Sequence, residues 1–100
     1  MIRYYRSARA KNGKLIEAIQ FAKEVTEYLN KKYSPLLCQV YTATSGDYGT
    51  IYWHGDHKDL ASVESFQRQL TSDQGYRAIV NKGIGSFIEG SIHDTMMSSL

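Results

Sequence analysis

Residues 36–55 read LLCQVYTAT, SGD, YGTIYWHG: two stretches rich in Leu, Val, Tyr, Thr, Ile and Trp, 36–44 and 48–55, on either side of Ser45-Gly46-Asp47. β-Branched and aromatic side chains suit a pleated, half-buried surface, and a short Gly-bearing link between two such runs closes an antiparallel hairpin. Upstream of it, Leu15, Ala18, Ile19, Ala22, Val25 and Leu29 recur every three or four residues, one apolar stripe along a helix that runs to about Tyr33. Glu17, Lys23, Glu24, Glu27, Lys31 and Lys32 fill the wet side. Ser34-Pro35 stops the helix, because proline disfavours helical geometry in the residue before it and has no amide hydrogen to donate. Downstream, Asp59 or Ser62 opens a second helix with Leu60, Val63, Phe66 and Leu70 inward. Ser72 or Asp73 reads as a fresh N-cap, so this helix is expected in two pieces, the second carrying Tyr76, Ile79 and Val80.

The two ends complete the pattern. Residues 2–10 alternate, with Ile2, Tyr4, Arg6, Ala8 and Ala10 on one side and Arg3, Tyr5, Ser7 and Arg9 on the other, which predicts a strand. Asn12-Gly13 breaks it, and Asn12 or the turn before it is expected to cap the first helix. Gly83, Gly85 and Gly90 punctuate the approach to a closing strand over Ile92–Met97. The order is βαββαβ. It predicts a ferredoxin-like α+β plait, with a four-stranded antiparallel sheet and its helices on one face, as a single domain over residues 1–100. A chain this short buries only part of its apolar surface, so the uncovered sheet face is expected to meet a second copy in a homodimer.

Composition excludes several classes. Hydrophobic residues make up 42% and charged ones 22%, and the net charge of +2 comes from scattered rather than clustered basic residues. That balance points to neither nucleic acid nor a membrane surface. Cys38 is the lone cysteine, which excludes an intrachain disulfide and a cysteine-rich zinc site. Arg3 and Arg6 interrupt the opening residues where a signal peptide needs an apolar core, and no run of about 18 apolar residues occurs. A cytoplasmic protein is expected.

Three stretches also carry a likeness. Arg6 through Lys14 is similar to a NIPSNAP-like opening, an Arg and a Tyr with a Gly-Lys turn seven residues after the Arg. Ile51-Tyr52-Trp53 leading into Asp59-Leu60-Ala61, and Leu70-Thr71-Ser72-Asp73 followed by Tyr76, extend it over nearly the whole chain. The chain resembles the dimeric α/β-barrel superfamily, and within it the NIPSNAP-like and antibiotic-biosynthesis-monooxygenase-like proteins. The resemblance implies two plaits joined by their open sheet faces, and in each a cleft between sheet and helices for a small molecule, with no cofactor. The alternative it implies is a cofactor-independent monooxygenase acting on an aromatic substrate. There are departures: Ala8 stands where the NIPSNAP-like opening has Tyr, and Arg6 where monooxygenase-like relatives often have Asn. The stretch Tyr76-Arg77-Ala78-Ile79-Val80 lacks the His that ligates iron in the haem-degrading branch.

The candidate ligand-binding residues are Tyr4, Arg6, Tyr41, Trp53 and His54. Arg6 falls on the more apolar side of the first strand, where a guanidinium is costly to bury unpaired; either a carboxylate of the protein or an anionic ligand must meet it. Its planar fork suits a carboxylate. Tyr4, Tyr41, Tyr48, Tyr52 and Trp53 suit sheet surfaces and dimer interfaces, and equally a pocket for a flat ligand. Trp53 is singled out by the resemblance and His54 by its chemistry; strand alternation puts those two on opposite faces. His54, Asp56 and His57 are the densest set of metal-ligating types, but their spacing does not compel a site and a solvated connection is expected, so no metal is assigned. Tyr48-Gly49-Thr50-Ile51-Tyr52 has a faint likeness to an RNA-recognition strand, yet Thr50 holds the middle same-face position and no Lys or Arg opens the motif.

Overall fold

The computed structural model describes all 100 residues. Alternation in β1 (Ile2–Arg9) sorts its side chains onto two faces, and its neighbours continue both. The other strands are β2 (Cys38–Thr42), β3 (Thr50–His57) and β4 (His93–Ser98), and the antiparallel sheet has the order β2-β3-β1-β4. Arg6 lies opposite Trp53 of β3 on one side and Asp94 of β4 on the other, so these three share a face. Helices α1 (Leu15–Lys32), α2 (Leu60–Ser72) and α3 (Gln74–Gly83) cover that face, and a short 3-10 turn at Ile84–Ser86 leads towards β4. This is the ferredoxin-like α+β plait expected from the element order.

Small residues set how closely α1 approaches the sheet. Ala8 and Ala10 meet Ala18 and Ala22 around Ile51 and Phe87, all buried, and the backbones can come near because no large side chain intervenes. Towards the other end of α1, Val25, Leu29 and Cys38 form a second cluster, flanked by half-buried Phe66, Leu70, Tyr76 and Ile79. The break between α2 and α3 falls at Asp73, as expected. Its carboxylate caps α3 by accepting the Tyr76 N–H at 3.0 Å, accepts the hydroxyls of Tyr28 and Tyr33 at 2.6 Å each, and pairs with Lys32 Nζ at 3.1 Å. The hydrogen bond from Tyr28, then that from Tyr33, hold this buried carboxyl well below the usual carboxylate range. α3 is therefore pinned to the end of α1.

Several boundaries differ from the sequence reading, for local reasons. Asn12 does not cap α1: Gly13, at φ 78°, closes a turn in which the Lys14 N–H donates to Lys11 O at 2.9 Å, and the helix starts beyond the reach of Asn12. β1 ends at Arg9, and Ala10 makes only an isolated bridge to Phe87. β2 begins at Cys38 rather than 36 because Asn30 clasps its first residue, accepting the Cys38 N–H at 2.7 Å and donating to its carbonyl at 3.0 Å. The hairpin connection spans 43–49 instead of three residues; Gly46 and Gly49 take φ of 81° and 92°, and Tyr48 sits in the turn, exposed. β3 runs on to His57, two residues past the expected end. Leu60, expected inward, is exposed as the first residue after the Asp59 cap. No helix is long and apolar enough to cross a membrane.

Candidate functional site

α2 buries one residue, Val63, and its Phe66 and Leu70 face a gap between helix and sheet. Phe21, Val25 and Leu29 of α1, Tyr76 and Val80 of α3, and Cys38 and Trp53 of the sheet complete the walls. The resulting cavity has a volume of about 170 Å³, and 16 of its 21 bordering residues are hydrophobic. An apolar cavity of about 150 Å³ accommodates benzene, so this one holds roughly a single ring. Trp53 is fixed edge-on against Phe21, centroids 6.4 Å apart, and tilted against Phe87 at 6.1 Å. Its indole Nε1 is buried without a partner.

The polar end of the cavity is built by β1 and β4. Arg6 Nε donates to Asp94 Oδ1 at 2.7 Å and Nη2 to Oδ2 at 2.8 Å, a bidentate fork, while the Tyr4 hydroxyl donates to Oδ2 at 2.5 Å. The hydrogen bond with Asp94 raises the Arg6 pKa further, and the same contact lowers that of Asp94. Burial, then the Asp94 hydrogen bond, push the Tyr4 phenol up. The side chains of the pair remain 40% and 36% exposed, so it adds at most about 1 kcal/mol to stability. Its importance is electrostatic. The guanidinium that the sequence left to be met by either a protein carboxylate or a ligand anion is met by Asp94.

Of the residues singled out from the sequence, Tyr4, Arg6 and Trp53 come together at this cavity. Tyr41 does not, and His54 is on the cavity's border although its side chain belongs to the other face: register places Tyr41 opposite Tyr52 and His54 opposite Tyr5, on the face without helices. There the His54 imidazole stacks on Tyr41, centroids 5.5 Å and planes 15° apart, and tilts against Tyr5 at 5.3 Å. His54 and His57 thus point to opposite faces of β3, and Asp56 is engaged by Arg3 at 2.7 and 2.8 Å, so the three do not converge. Two residues of the site escape the sequence reading, His57 on the cavity wall and Asp94 behind Arg6. Asp94 is hidden because the register of the last strand cannot be read from one chain. His57 reads as part of a solvated connection, whereas β3 extends through it and buries it.

Comparison with solved structures places the plait among known ones. An uncharacterised NIPSNAP domain protein from Burkholderia xenovorans superposes with a TM-score of 0.82 at 16% identity, over 100% of this chain and 95% of its own. A NIPSNAP family protein from Agrobacterium tumefaciens gives 0.79 at 14%, over 99% and 92%. The fold is that of NIPSNAP proteins. An antibiotic biosynthesis monooxygenase shares it too, at a TM-score of 0.76 and 11% identity, over 100% of this chain and 99% of that one. No family model matches the sequence, and no curated protein does. The departure at Ala8 has a packing reason within this NIPSNAP-type plait: Ala8 is 4% exposed beneath Ala18 and Ala22, which leaves no room for a tyrosine.

Proposed function

We propose that this protein binds a small, neutral, largely apolar molecule about one ring in size between its sheet and helices, as a homodimer joined through the open sheet faces. The cavity carries the reading: about 170 Å³ of mostly hydrophobic wall beside a charged pair already satisfied within the chain. A carboxylate ligand would have to displace Asp94 from Arg6, whereas a neutral ring disturbs nothing. Titration of toluene into isotopically labelled protein tests it. Saturable amide shifts are expected around Phe21, Trp53, Phe66 and Tyr76, lost when Leu70→Trp fills the cavity; absence of saturable shifts in the wild type refutes the reading.

Support for the dimer comes from the uncovered face, where Tyr5, Tyr41, Tyr52 and Met97 lie with no helix over them. Such amphipathic aromatics favour interfaces. Sedimentation velocity at micromolar concentration should give a dimer, and a monomer refutes this part. The single free, buried Cys38 fits a reducing compartment such as the cytoplasm.

A second reading draws on the fold shared with an antibiotic biosynthesis monooxygenase over the full chain. In it the same cavity orients an aromatic substrate for oxidation by oxygen without a cofactor. Oxygen uptake with a panel of phenols separates the two, since a pure binding protein leaves the oxygen trace flat.

A further inference from the structure

Two hollows share a wall of three residues, of which His57 alone carries a polar side chain. A polar groove of about 370 Å³, bordered by Lys32, Ser34, Ser62, Ser65 and Gln69, lies beside α2, and Leu36, His57 and Phe66 border both it and the apolar cavity. His57 stands on the helix face opposite Ile2, 8% exposed, with its ring 5.4 Å from that of Phe66. The chain offers its imidazole no hydrogen-bond partner, neither ring nitrogen is completely buried, and the residue borders both hollows. At the other end of the cavity, Tyr4 and Arg6 are committed to Asp94.

We infer that His57 determines specificity in the cavity, one ring nitrogen accepting a hydrogen bond from a hydroxyl on the bound ring while the other faces water in the groove. This rests on the ligand-binding reading above and narrows it to neutral ring compounds bearing a hydroxyl. An imidazole can do this only when neutral, because the protonated ring has no free lone pair. Burial keeps it so at pH 7 by lowering its pKa, opposed in part by the Asp56 charge. Asp56 itself points to the other sheet face and is occupied by Arg3. From α2 the neighbours are the uncharged Phe66, Ser62 and Ser65, from β1 Ile2, and across the groove Lys32 and Tyr33, both engaged by Asp73.

The test compares phenol with toluene, which are nearly the same size. A hydroxyl accepted by His57 makes the phenol-to-toluene affinity ratio roughly three- to tenfold higher in the wild type than in His57→Phe, with partial recovery in His57→Gln, whose carbonyl can also accept. The ratio should also fall as pH drops below the histidine range. In the wild type, phenol but not toluene is expected to shift the His57 imidazole nitrogen resonance, a readout that needs no variant to fold. An unchanged ratio in His57→Phe, or toluene binding with no phenol effect on the His57 nitrogens, overturns the inference and leaves the cavity reading standing. If neither compound binds, the cavity reading itself fails and takes the inference with it.

Discussion

Replacing Gly83 by Ala sets two opposing effects against each other. Inside a helix, Ala is ordinarily about 1 kcal/mol better than Gly, because glycine loses more backbone freedom on folding. Gly83, however, is the buried last residue of α3, where an added Cβ would lie 2.9 Å from Phe21 Cβ and 2.5 Å from Cγ. Phe21 Cβ is fixed by the backbone of α1, so no rotamer change relieves the first contact. Either α3 retreats from α1, or the Phe21 ring leaves its edge-on seat against Trp53 and Phe87 and the cavity changes shape. Overpacking of this kind costs about 1–3 kcal/mol, and the propensity gain is smaller at a helix end, so a net loss of about 1–2 kcal/mol is expected. For a domain of this size that lowers Tm by roughly 4–15 °C. Gly85 is the control: a methyl group there would meet nothing within 4 Å, and its φ is not positive, so Gly85→Ala should stay within about 0.5 kcal/mol of wild type. Thermal melts by circular dichroism at one fixed protein concentration decide it. A Gly83→Ala protein as stable as wild type would refute the close approach of α1 and α3 on which the cavity walls depend.

Three further outcomes follow from the site. Asp94→Asn leaves Arg6 unpaired at the cavity end, so benzoate should bind about tenfold more tightly than to wild type by calorimetry; an unchanged affinity would mean Arg6 does not face the ligand. His57 is held neutral by a lowered pKa, so the unfolded chain takes up its proton first, and stability is complete above about pH 6.5 and declines as pH falls through that value towards the folded pKa. His57→Phe should flatten the Tm profile between pH 7 and 5, and an identical profile would contradict its burial. Asp73 has its pKa depressed, so its contribution is present above about pH 4 and lost as pH falls through the folded value; Asp73→Asn should lower Tm at pH 7 while weakening the acid dependence below pH 4, and equal slopes for both proteins would count against its network with Tyr28 and Tyr33.

The element order is legible because each periodicity is strong on its own: the three-and-four stripe from Leu15 to Leu29, the alternation of β1 and the hairpin runs each point to one structure. The Asp73 break is legible too, since a capping residue in mid-pattern has few other uses. What stays hidden is what depends on partners distant in sequence. That Asp94 answers Arg6 is a fact about register between the first strand and the last, and no local pattern encodes it. The same holds for Asn30, whose grip on Cys38 shortens β2 from a helix turn away. His57 is missed because composition ends β3 two residues early, and in a strand the position decides whether a side chain is buried at all.

The uneven anchoring of the three helices has a bearing on traffic into the molecule. α1 is seated on alanines and α3 is moored by Asp73, but α2 commits only Val63 fully to the interior, with Phe66 and Leu70 half-buried beside it. An outward tilt of that cylinder would part this single fully buried side chain from the core, with Phe66 riding on the helix like the edge of a door and every rung of the β-ladder left intact.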